Sequence, residues 1–208
     1  MLELNILRVA MQPRSAENKQ RVLQDAMRLI SDKPDSELRI ADIYERTGLS
    51  SSVIYSYFRS RDGLIDAAYI ELSKEMSKAT ELNLAAIFNP LKKADDVSEL
   101  FALLSADPKF QQEWQQNRAI RLRIAARAMS SSRFMHKYKP IAKGHLEKLE
   151  QQIEFLQSKN FVNRKFSPEQ AAHVFEGFLM ALTVKEGISG EADYLSWFST
   201  MSELFGNK

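Results

Sequence analysis

Cysteine is absent from all 208 residues of this chain. Without thiols the protein cannot form disulfides, a thiolate nucleophile, or a Cys-ligated zinc or iron–sulfur site. Long uncharged stretches are missing as well, since Lys, Arg, Asp or Glu interrupts every segment that approaches the roughly 20 apolar residues of a membrane helix. The first eleven residues contain Glu3 and Arg8 and lack a small-residue cleavage site, so they do not resemble a signal peptide. We therefore expect a cytoplasmic protein with no membrane association.

Net charge is also nearly absent, at +2 from 29 basic and 27 acidic residues. Overall attraction to a polyanion is weak at this charge, and any contact with nucleic acid must come from local placement of cations. The stretch from Lys109 to Lys165 is locally basic, whereas residues 71–108 and 166–208 are acidic. A solvated outer face is the simpler explanation of that basic stretch.

Glycine and proline are sparse, with 7 and 6 residues, and no run alternates at period two long enough to indicate a strand. Apolar residues recur at spacings of three and four almost everywhere, which is typical of amphipathic helices. The fold class is therefore all-α. The pattern predicts helices at about 15–31, 40–46, after 50, 60 to the low eighties, 97–105, 108–129, 132–158, 168–187 and 192–205, with a loop at 88–96. Three prolines, Pro108, Pro140 and Pro168, are expected in or near first helical turns.

The most informative pattern lies in residues 39–67. Gly48 suits the left-handed position that ends a helix, and Ser50 suits the N-cap of the next helix. Two short helices therefore meet across a tight turn, as in a helix-turn-helix. The second of them should bury Val53, Ile54 and Phe58.

The opposite side of that second helix carries a stripe of hydroxyl groups. Ser51 pairs with Tyr55 and Ser52 with Ser56, each at a spacing of four residues. These side chains are uncharged, and the serines are short, so the helix could approach the major groove of DNA closely.

With these features the segment resembles the DNA-binding domain of the tetracycline-repressor (TetR) family of bacterial regulators. In that family a helix ending in a small residue and Gly is followed by a capped recognition helix, an aromatic pair ending in Phe, and a basic residue that opens the fourth helix. The corresponding residues here are Thr47-Gly48, Leu49-Ser50, Tyr55, Tyr57-Phe58 and Ser60-Arg61-Asp62. The motif covers about residues 20–68, and the rest of the chain matches the family only in length and helical content.

The resemblance implies an N-terminal three-helix DNA-binding domain at 12–60 and a helical effector-binding and dimerisation domain at 61–208. It implies base contacts and phosphate contacts. The DNA-binding set is Ser51, Ser52 and Ser56 for bases, Tyr55, Tyr57 and Arg61 for phosphates, and in addition Ser50 and Arg39. Two residues depart from the family pattern, Arg39 in place of a common Thr and Tyr44 in place of a small residue. Tyr57 could equally be a core residue, and Phe58 is expected to be one.

The implied function is repression of transcription by a homodimer that binds a palindromic operator in double-stranded DNA and is released by a small amphipathic effector. A helical adaptor that binds only protein is the alternative. An enzyme is not expected, because there is no HExxH, Gly-rich phosphate loop or nucleophile motif, and His136 and His145 would lie on opposite sides of any common helix. No cofactor and no metal is expected either.

The last two predicted helices carry apolar stripes that are rich enough to form a two-fold interface. The predicted interface consists of Val174, Phe175, Phe178, Leu182, Tyr194, Trp197, Phe198, Met201 and Phe205. Gly177 would permit close backbone approach, and a pair of helices from each subunit would make a four-helix interface. Alternatively, these side chains fill the core of their own subunit.

The predicted helix from Trp114 to Met129 places Arg118 and Arg121 within its apolar arc. A buried arginine needs a counter-charge. A ligand carboxylate or phosphate would supply it, which suggests an anionic effector against an apolar wall. That wall would consist of Phe101, Leu104, Trp114 and Phe178. The alternative partner is an internal carboxylate, with Glu113 and Glu176 as candidates.

Overall fold

A computed structural model of the chain describes residues 2–88, 108–190 and 194–206, and the side chains of 14–78, 117–190, 196, 197 and 199–206. The described residues are helical, apart from turns, a short 3-10 helix at Asp35–Glu37 and an isolated bridge between Val162 and Gly206. This confirms the all-α class. The helices are α1 Leu2–Asp32, α2 Ile40–Thr47, α3 Ser51–Phe58, α4 Arg61–Phe88, α5 Pro108–Ser130, α6 Ser132–Ser158, α7 Pro168–Ser189 and α8 Tyr194–Phe205.

Most helix boundaries agree with the predicted ones within a few residues, and three features differ. Helix α1 begins at Leu2 instead of about Ser15. Helix α4 continues to Phe88 instead of ending in the low eighties. Pro140 lies in the interior of α6 and not near its first turn. A proline there removes one backbone hydrogen bond, but its fixed φ is compatible with a helix. The predicted loop at 88–96, from residue 89 on, and the predicted helix at 97–105 lie outside the described residues.

The chain divides into two compact units, Met1–Lys74 and Glu75–Lys208. The N-terminal unit contains α1 to α3 and the first half of α4. That half of α4 belongs there because its apolar side is buried, with Leu64, Ile65 and Ala68 at no more than 1% exposure. The rest of the core of this unit comes from the three preceding helices and the turn before α2. Its buried side chains include Val22, Ala26, Met27, Ile30, Leu38, Ile43, Ile54 and Phe58.

The C-terminal unit contains the second half of α4 and helices α5 to α8. Its described core cluster joins α6, α7, α8 and the connection between α6 and α7, and consists of Ile153, Val162, Ala171, Ala172, Met201 and Phe205. Helix α7 begins with a capping box, in which Ser167 and Gln170 each accept a hydrogen bond from the backbone of the other. No helix in the described ranges is long and apolar enough to cross a membrane.

The connection between α6 and α7 holds the end of α8 in place. The buried Gln157 donates to the carbonyl oxygens of Asn163 (3.0 Å) and Phe166 (2.9 Å). Asn163 in turn donates through Nδ2 to the carbonyl oxygens of Leu204 (2.8 Å) and Gly206 (3.2 Å). These bonds satisfy carbonyl groups at the C-terminus of α8 that have no partner within the helix.

Candidate nucleic-acid interface and polar cluster

The turn between α2 and α3 has the conformation that the sequence predicts. Gly48 has φ 68° and ψ 10°, in the left-handed region, and its N–H donates to the carbonyl oxygen of Tyr44 at 2.7 Å. The Thr47 hydroxyl donates to the Ile43 carbonyl (2.7 Å) and accepts from the Leu49 N–H (3.2 Å). Arg21 of α1 donates to the Thr47 carbonyl at 2.8 Å. The turn is therefore bonded both internally and to α1.

Helix α3 is buried on one side and open on the other. Ile54 is 0% exposed and Phe58 7%, so these residues hold the helix against the N-terminal core. The predicted hydroxyl-bearing side chains are exposed, and they are Ser51, Ser52, Tyr55 and Ser56. We call these four residues the α3 hydroxyl stripe.

The serines around this stripe form short local hydrogen bonds. Ser50 occupies the N-cap position of α3, but its side chain makes no capping hydrogen bond; its Oγ lies 2.9 Å from Oγ of Ser52. Ser56 donates to the Val53 carbonyl at 2.7 Å. Arg39 is exposed at the N-cap position of α2 and likewise makes no capping bond. The serine hydroxyls and Arg39 all lie on accessible parts of the helix-turn-helix.

Tyr57 is half-buried, between the two alternatives that the sequence left open. Its ring meets Phe58 edge-on, with the centroids 6.3 Å apart. Its hydroxyl accepts a hydrogen bond from Ser15 of α1 at 3.5 Å. Tyr57 thus packs against the core and keeps a polar group near the surface.

Arg61 has a structural role that sequence reasoning missed. Its guanidinium donates to the carbonyl oxygens of Leu38 (2.6 Å), Ser36 (3.0 Å) and Asp35. These carbonyls belong to the short 3-10 helix and the residue that follows it, so Arg61 links the start of α4 to the segment before α2. The arginine side chain is still 37% exposed, and its contact with phosphate remains a prediction.

The junction of α3 and α4 depends on Gly63. Ser60 caps α4 by accepting the Gly63 N–H at 2.9 Å. A Cβ atom at position 63 would overlap the carbonyl oxygen of Phe58. Only glycine therefore allows α4 to begin this close to the end of α3.

In the C-terminal unit, Arg118 is buried at 2% exposure and pairs with Glu186 of α7 through Nη2 and Oε2, 2.6 Å apart. The internal carboxylate is thus a residue that the sequence analysis did not name. An i,i+3 or i,i+4 pattern could not reveal it, because the two residues are 68 positions apart. Glu186 supplies the counter-charge that motivated an anionic ligand at Arg118.

Arg121 belongs to a polar cluster formed by α5, α6 and α7. Its Nη1 lies 2.8 Å from Nε2 of His145, and that nitrogen is 3.8 Å from Oε1 of Glu176. Because a guanidinium can only donate, a hydrogen bond at this distance requires Nε2 to accept, as it does in a neutral imidazole with its proton on Nδ1. We call Arg121, Tyr138, His145 and Glu176 the C-terminal polar cluster.

Burial controls the pKa values in this cluster. Desolvation, together with the smaller effect of the Arg121 charge in the same direction, lowers the pKa of His145 to about 4. Burial also raises the pKa of Glu176, against the opposing effects of Arg121 and His173. Burial lowers the pKa of Arg121, against the effects of Glu176 and Tyr138. No group of three or more His, Asp or Glu with metal-binding geometry occurs in the part of the chain that the structure describes.

The predicted apolar ligand wall is described only in part. Phe101 and Leu104 lie outside the described residues, and Trp114 lies in α5 with its side chain undescribed. Phe178 packs against the core cluster, and its ring meets Trp197 of α8 edge-on at 4.6 Å. The structure therefore brings Arg118 and Arg121 together with α7 carboxylates, and places Phe178 at the α6–α8 core.

The residues of the predicted dimer interface differ in how deeply they are buried. Leu182 (2% exposed), Met201 (4%) and Phe205 (8%) are buried within their own unit, and Phe175 and Phe178 pack against the same core. For these residues the internal alternative describes the structure. Tyr194 and Phe198 lie in α8 with undescribed side chains. Val174 is exposed, at 39%.

Val174 begins an exposed apolar stripe that the sequence analysis did not recognise. At spacings of three and four, it continues along α7 on the side opposite Leu182. Its members are Val174, Gly177, Ala181, Val184 and Ile188, and the last two are 43% and 84% exposed. We call these five residues the α7 stripe. The sequence contains this pattern, but periodicity alone could not show which apolar side of α7 faces the core.

Comparisons with known proteins agree with the motif. Residues 22–68 match the family model described as bacterial regulatory proteins, tetR family. The HTH-type transcriptional regulator BetI of Yersinia pestis (strain Pestoides F) is 31% identical over 80 residues, which are 38% of this chain and 39% of that protein. BetI of Cronobacter sakazakii (strain ATCC BAA-894) is 30% identical over 101 residues, 48% of this chain and 46% of that protein. The chain thus spans less than half the length of these curated relatives.

Solved structures extend the likeness to the whole fold. A putative TetR-family transcriptional regulator from Mesorhizobium loti has a TM-score of 0.67 at 14% identity, covering 93% of this chain and 99% of its own. A putative transcriptional regulator from Saccharomonospora viridis, solved in complex with choline, has a TM-score of 0.63 at 17% identity, covering 93% and 100%. The expected architecture, a helix-turn-helix domain followed by a helical domain, is confirmed.

The neutral state of His145 predicts a pH dependence of stability. Its folded pKa of about 4 lies below the usual 6.5, so its contribution is fully present above pH 6.5 and is lost as the pH falls towards 4. His145→Gln keeps an acceptor for Arg121 that does not titrate. The melting temperature of the wild type should therefore fall more steeply than that of the variant between pH 6.5 and 4. Each pKa unit corresponds to about 1.4 kcal/mol, or roughly 3–6 °C in a chain of this size.

His136→Gln is the matched control, because His136 is exposed on the same helix. Its melting curves should run parallel to those of the wild type. Parallel curves for His145→Gln as well would show that His145 is not held neutral by its surroundings.

Proposed function

We propose that this chain, which belongs to the TetR family of bacterial regulatory proteins through its N-terminal unit, is a DNA-binding regulator of transcription. The observation that carries the proposal is the α3 hydroxyl stripe, exposed on a helix whose other side is buried. Packing in the core does not explain these four residues, because their side chains are exposed. All four carry a hydroxyl group and lie together on one side of α3. The further elements of the proposal are a palindromic operator, a homodimer, repression, and release by a small effector.

The stripe suits the major groove because its serines are short and can both donate and accept hydrogen bonds. Serine hydroxyls discriminate weakly between bases, so part of the sequence preference should come from the shape of the DNA. Among the aromatic candidates for a phosphate contact we favour Tyr55, because this residue is 43% exposed whereas Tyr57 is half-buried. Arg61 is a less informative position for mutation, because its loss would also remove hydrogen bonds to three backbone carbonyls.

Tyr55→Phe should weaken binding to all DNA sequences, whereas Ser52→Ala should change the preference among them. Tyr55→Phe removes one hydroxyl, and a hydrogen bond to a charged phosphate contributes about 1.5 kcal/mol, or roughly tenfold in Kd. The operator is obtained by binding-site selection with purified protein, and the affinities of the variants are then measured on selected and scrambled duplexes. If the Tyr55→Phe protein binds DNA with wild-type affinity, the Tyr55 hydroxyl makes no phosphate contact. A wild type with no salt-sensitive binding to any duplex would favour the adaptor alternative.

The proposed homodimer uses the α7 stripe together with α8. Gly177 and Ala181 allow two copies of α7 to approach closely, and no atom of the described residues outside the backbone of α7 lies within 4 Å of a Cβ built at Gly177. The exposed Val174, Val184 and Ile188 would gain burial there. A two-fold axis through this face relates two α3 helices, one from each subunit. The matching operator is a palindrome whose half-sites are about 34 Å apart, or a multiple of that.

Val184→Glu should convert the dimer to a monomer at micromolar concentration, because the two-fold axis brings two carboxylates into one apolar interface. Lys148→Glu is the control, since it places the same side chain at an exposed position of α6. Sedimentation velocity reports the mass, and circular dichroism reports that both variants remain helical. A monomeric wild type would overturn the dimer, and a dimeric Val184→Glu would place the interface elsewhere.

The proposed effector binds in the C-terminal unit and has an apolar part and a charged part. A fold neighbour holds choline, a small cation, whereas the sequence of this chain predicts an anion. Since Glu186 pairs with Arg118, the anionic proposal rests on Arg121, whose Nη1 lies 2.8 Å from Nε2 of His145 in the C-terminal polar cluster. To act as a switch, the effector must bind more tightly to one arrangement of the two DNA-binding domains than to the other.

A fatty acid should raise the melting temperature more than an alkyltrimethylammonium of equal chain length. Arg121→Met should reduce that stabilisation several-fold, and Lys148→Met, at an exposed position of α6, should leave it unchanged. Thermal shift in the presence of each ligand is the measurement. Stabilisation by the cation alone, or an Arg121→Met protein that responds as the wild type does, would contradict the anionic effector.

A further inference from the structure

Helix α1 runs past the C-terminal end of α3 and places two polar side chains there. Ser15 donates to the Tyr57 hydroxyl at 3.5 Å. One turn further along the same face of α1, Nζ of Lys19 lies 5.9 Å from the centroid of the Phe58 ring. The two residues therefore meet the last two side chains of α3.

Lys19 differs from the cations of the N-terminal unit that have internal partners. Arg21 donates to the Thr47 carbonyl, Arg46 pairs with Asp25, and Arg61 donates to three carbonyls. Lys19 is exposed and has no carboxylate within 4.0 Å among the side chains that the structure describes. Its contact is the face of a buried ring, which orders the side chain without neutralising its charge.

We propose that Lys19, together with the Tyr57 hydroxyl that Ser15 positions from α1, forms a second phosphate-binding point, which contacts the DNA backbone at the edge of the groove that α3 enters. The inference rests on the proposed function and adds α1 to the surface that binds DNA. A recognition helix in the major groove has a backbone strand along each wall, with a phosphate every 3.4 Å of helix axis on each strand. Groups that flank the end of the helix meet one of these strands. Ser15 and Lys19 flank that end.

Lys19 affects the affinity for DNA and not the preference among DNA sequences. Phosphate contacts carry no sequence information, so Lys19 increases affinity for every duplex by the same factor. It also contributes to counterion release, and therefore to the dependence of binding on salt concentration. The α3 hydroxyl stripe, by contrast, determines which duplexes are preferred.

Lys19→Met tests the proposal, because methionine retains an apolar stem over Phe58 and removes the charge. The slope of log K against log[salt] should become shallower by about 0.9 for each bound subunit. Affinity should fall several-fold on selected and scrambled duplexes alike, and Ser15→Ala should lower it by a smaller factor. Lys19→Arg should retain the wild-type slope.

Arg28→Met is the matched control. Arg28 is exposed on α1, nine residues after Lys19 and therefore on the opposite side of the helix, so the same unit of charge is removed away from α3. Its salt slope should equal that of the wild type. Melting temperatures of both variants show that the helix-turn-helix remains folded.

If Lys19→Met and Arg28→Met have the same salt slope, α1 makes no phosphate contact and the inference is wrong. A loss of affinity in Tyr55→Phe in that same experiment would leave the proposed function standing. If the wild type itself shows no salt-dependent binding to duplex DNA, the proposed function and this inference are both overturned.

Discussion

The burial of Ile54 and Phe58 is the constraint on which the DNA-binding surface depends. Because these two side chains are held in the N-terminal core, the orientation of α3 about its own axis is determined, and the hydroxyl stripe faces outward. The placement of α3 relative to α2 depends in turn on the left-handed conformation of Gly48. A side chain at that φ would strain the turn, and the separation between α2 and α3 would change with it.

The N-terminal unit uses its arginines in two different ways. Arg21 and Arg61 donate to backbone carbonyls at helix ends and turns, where carbonyl groups have no partner within the secondary structure. The long guanidinium side chain can reach carbonyls that are more than twenty residues away in sequence. Lys19 instead keeps its charge at the surface. A single basic residue in a helix-turn-helix sequence therefore does not reveal whether it stabilises the fold or binds phosphate.

The C-terminal unit shows how burial and charge limit each other. Arg118 is almost completely buried, and an uncompensated charge there would cost several kcal/mol, so Glu186 stabilises the unit by supplying a counter-charge. In the polar cluster, the loss of solvent and, to a smaller extent, the neighbouring Arg121 lower the pKa of His145 and favour its neutral form. A ligand that entered this cluster would compete with hydrogen bonds that are already formed, and its binding would be coupled to the arrangement of α5, α6 and α7.

The sequence by itself determined the helical class, most helix boundaries and the helix-turn-helix, because these depend on local interactions. The apolar period and the left-handed glycine at 48 act over a few residues and can be recognised from their order. Only the tertiary structure decided that Glu186 is the partner of Arg118, that Arg61 donates to the segment before α2, and that Leu182 and Met201 are core residues while Val184 and Ile188 are exposed. These outcomes depend on contacts between residues far apart in the chain. Helix α7 is apolar on two sides, and only its packing against α6 and α8 selects the side that is buried.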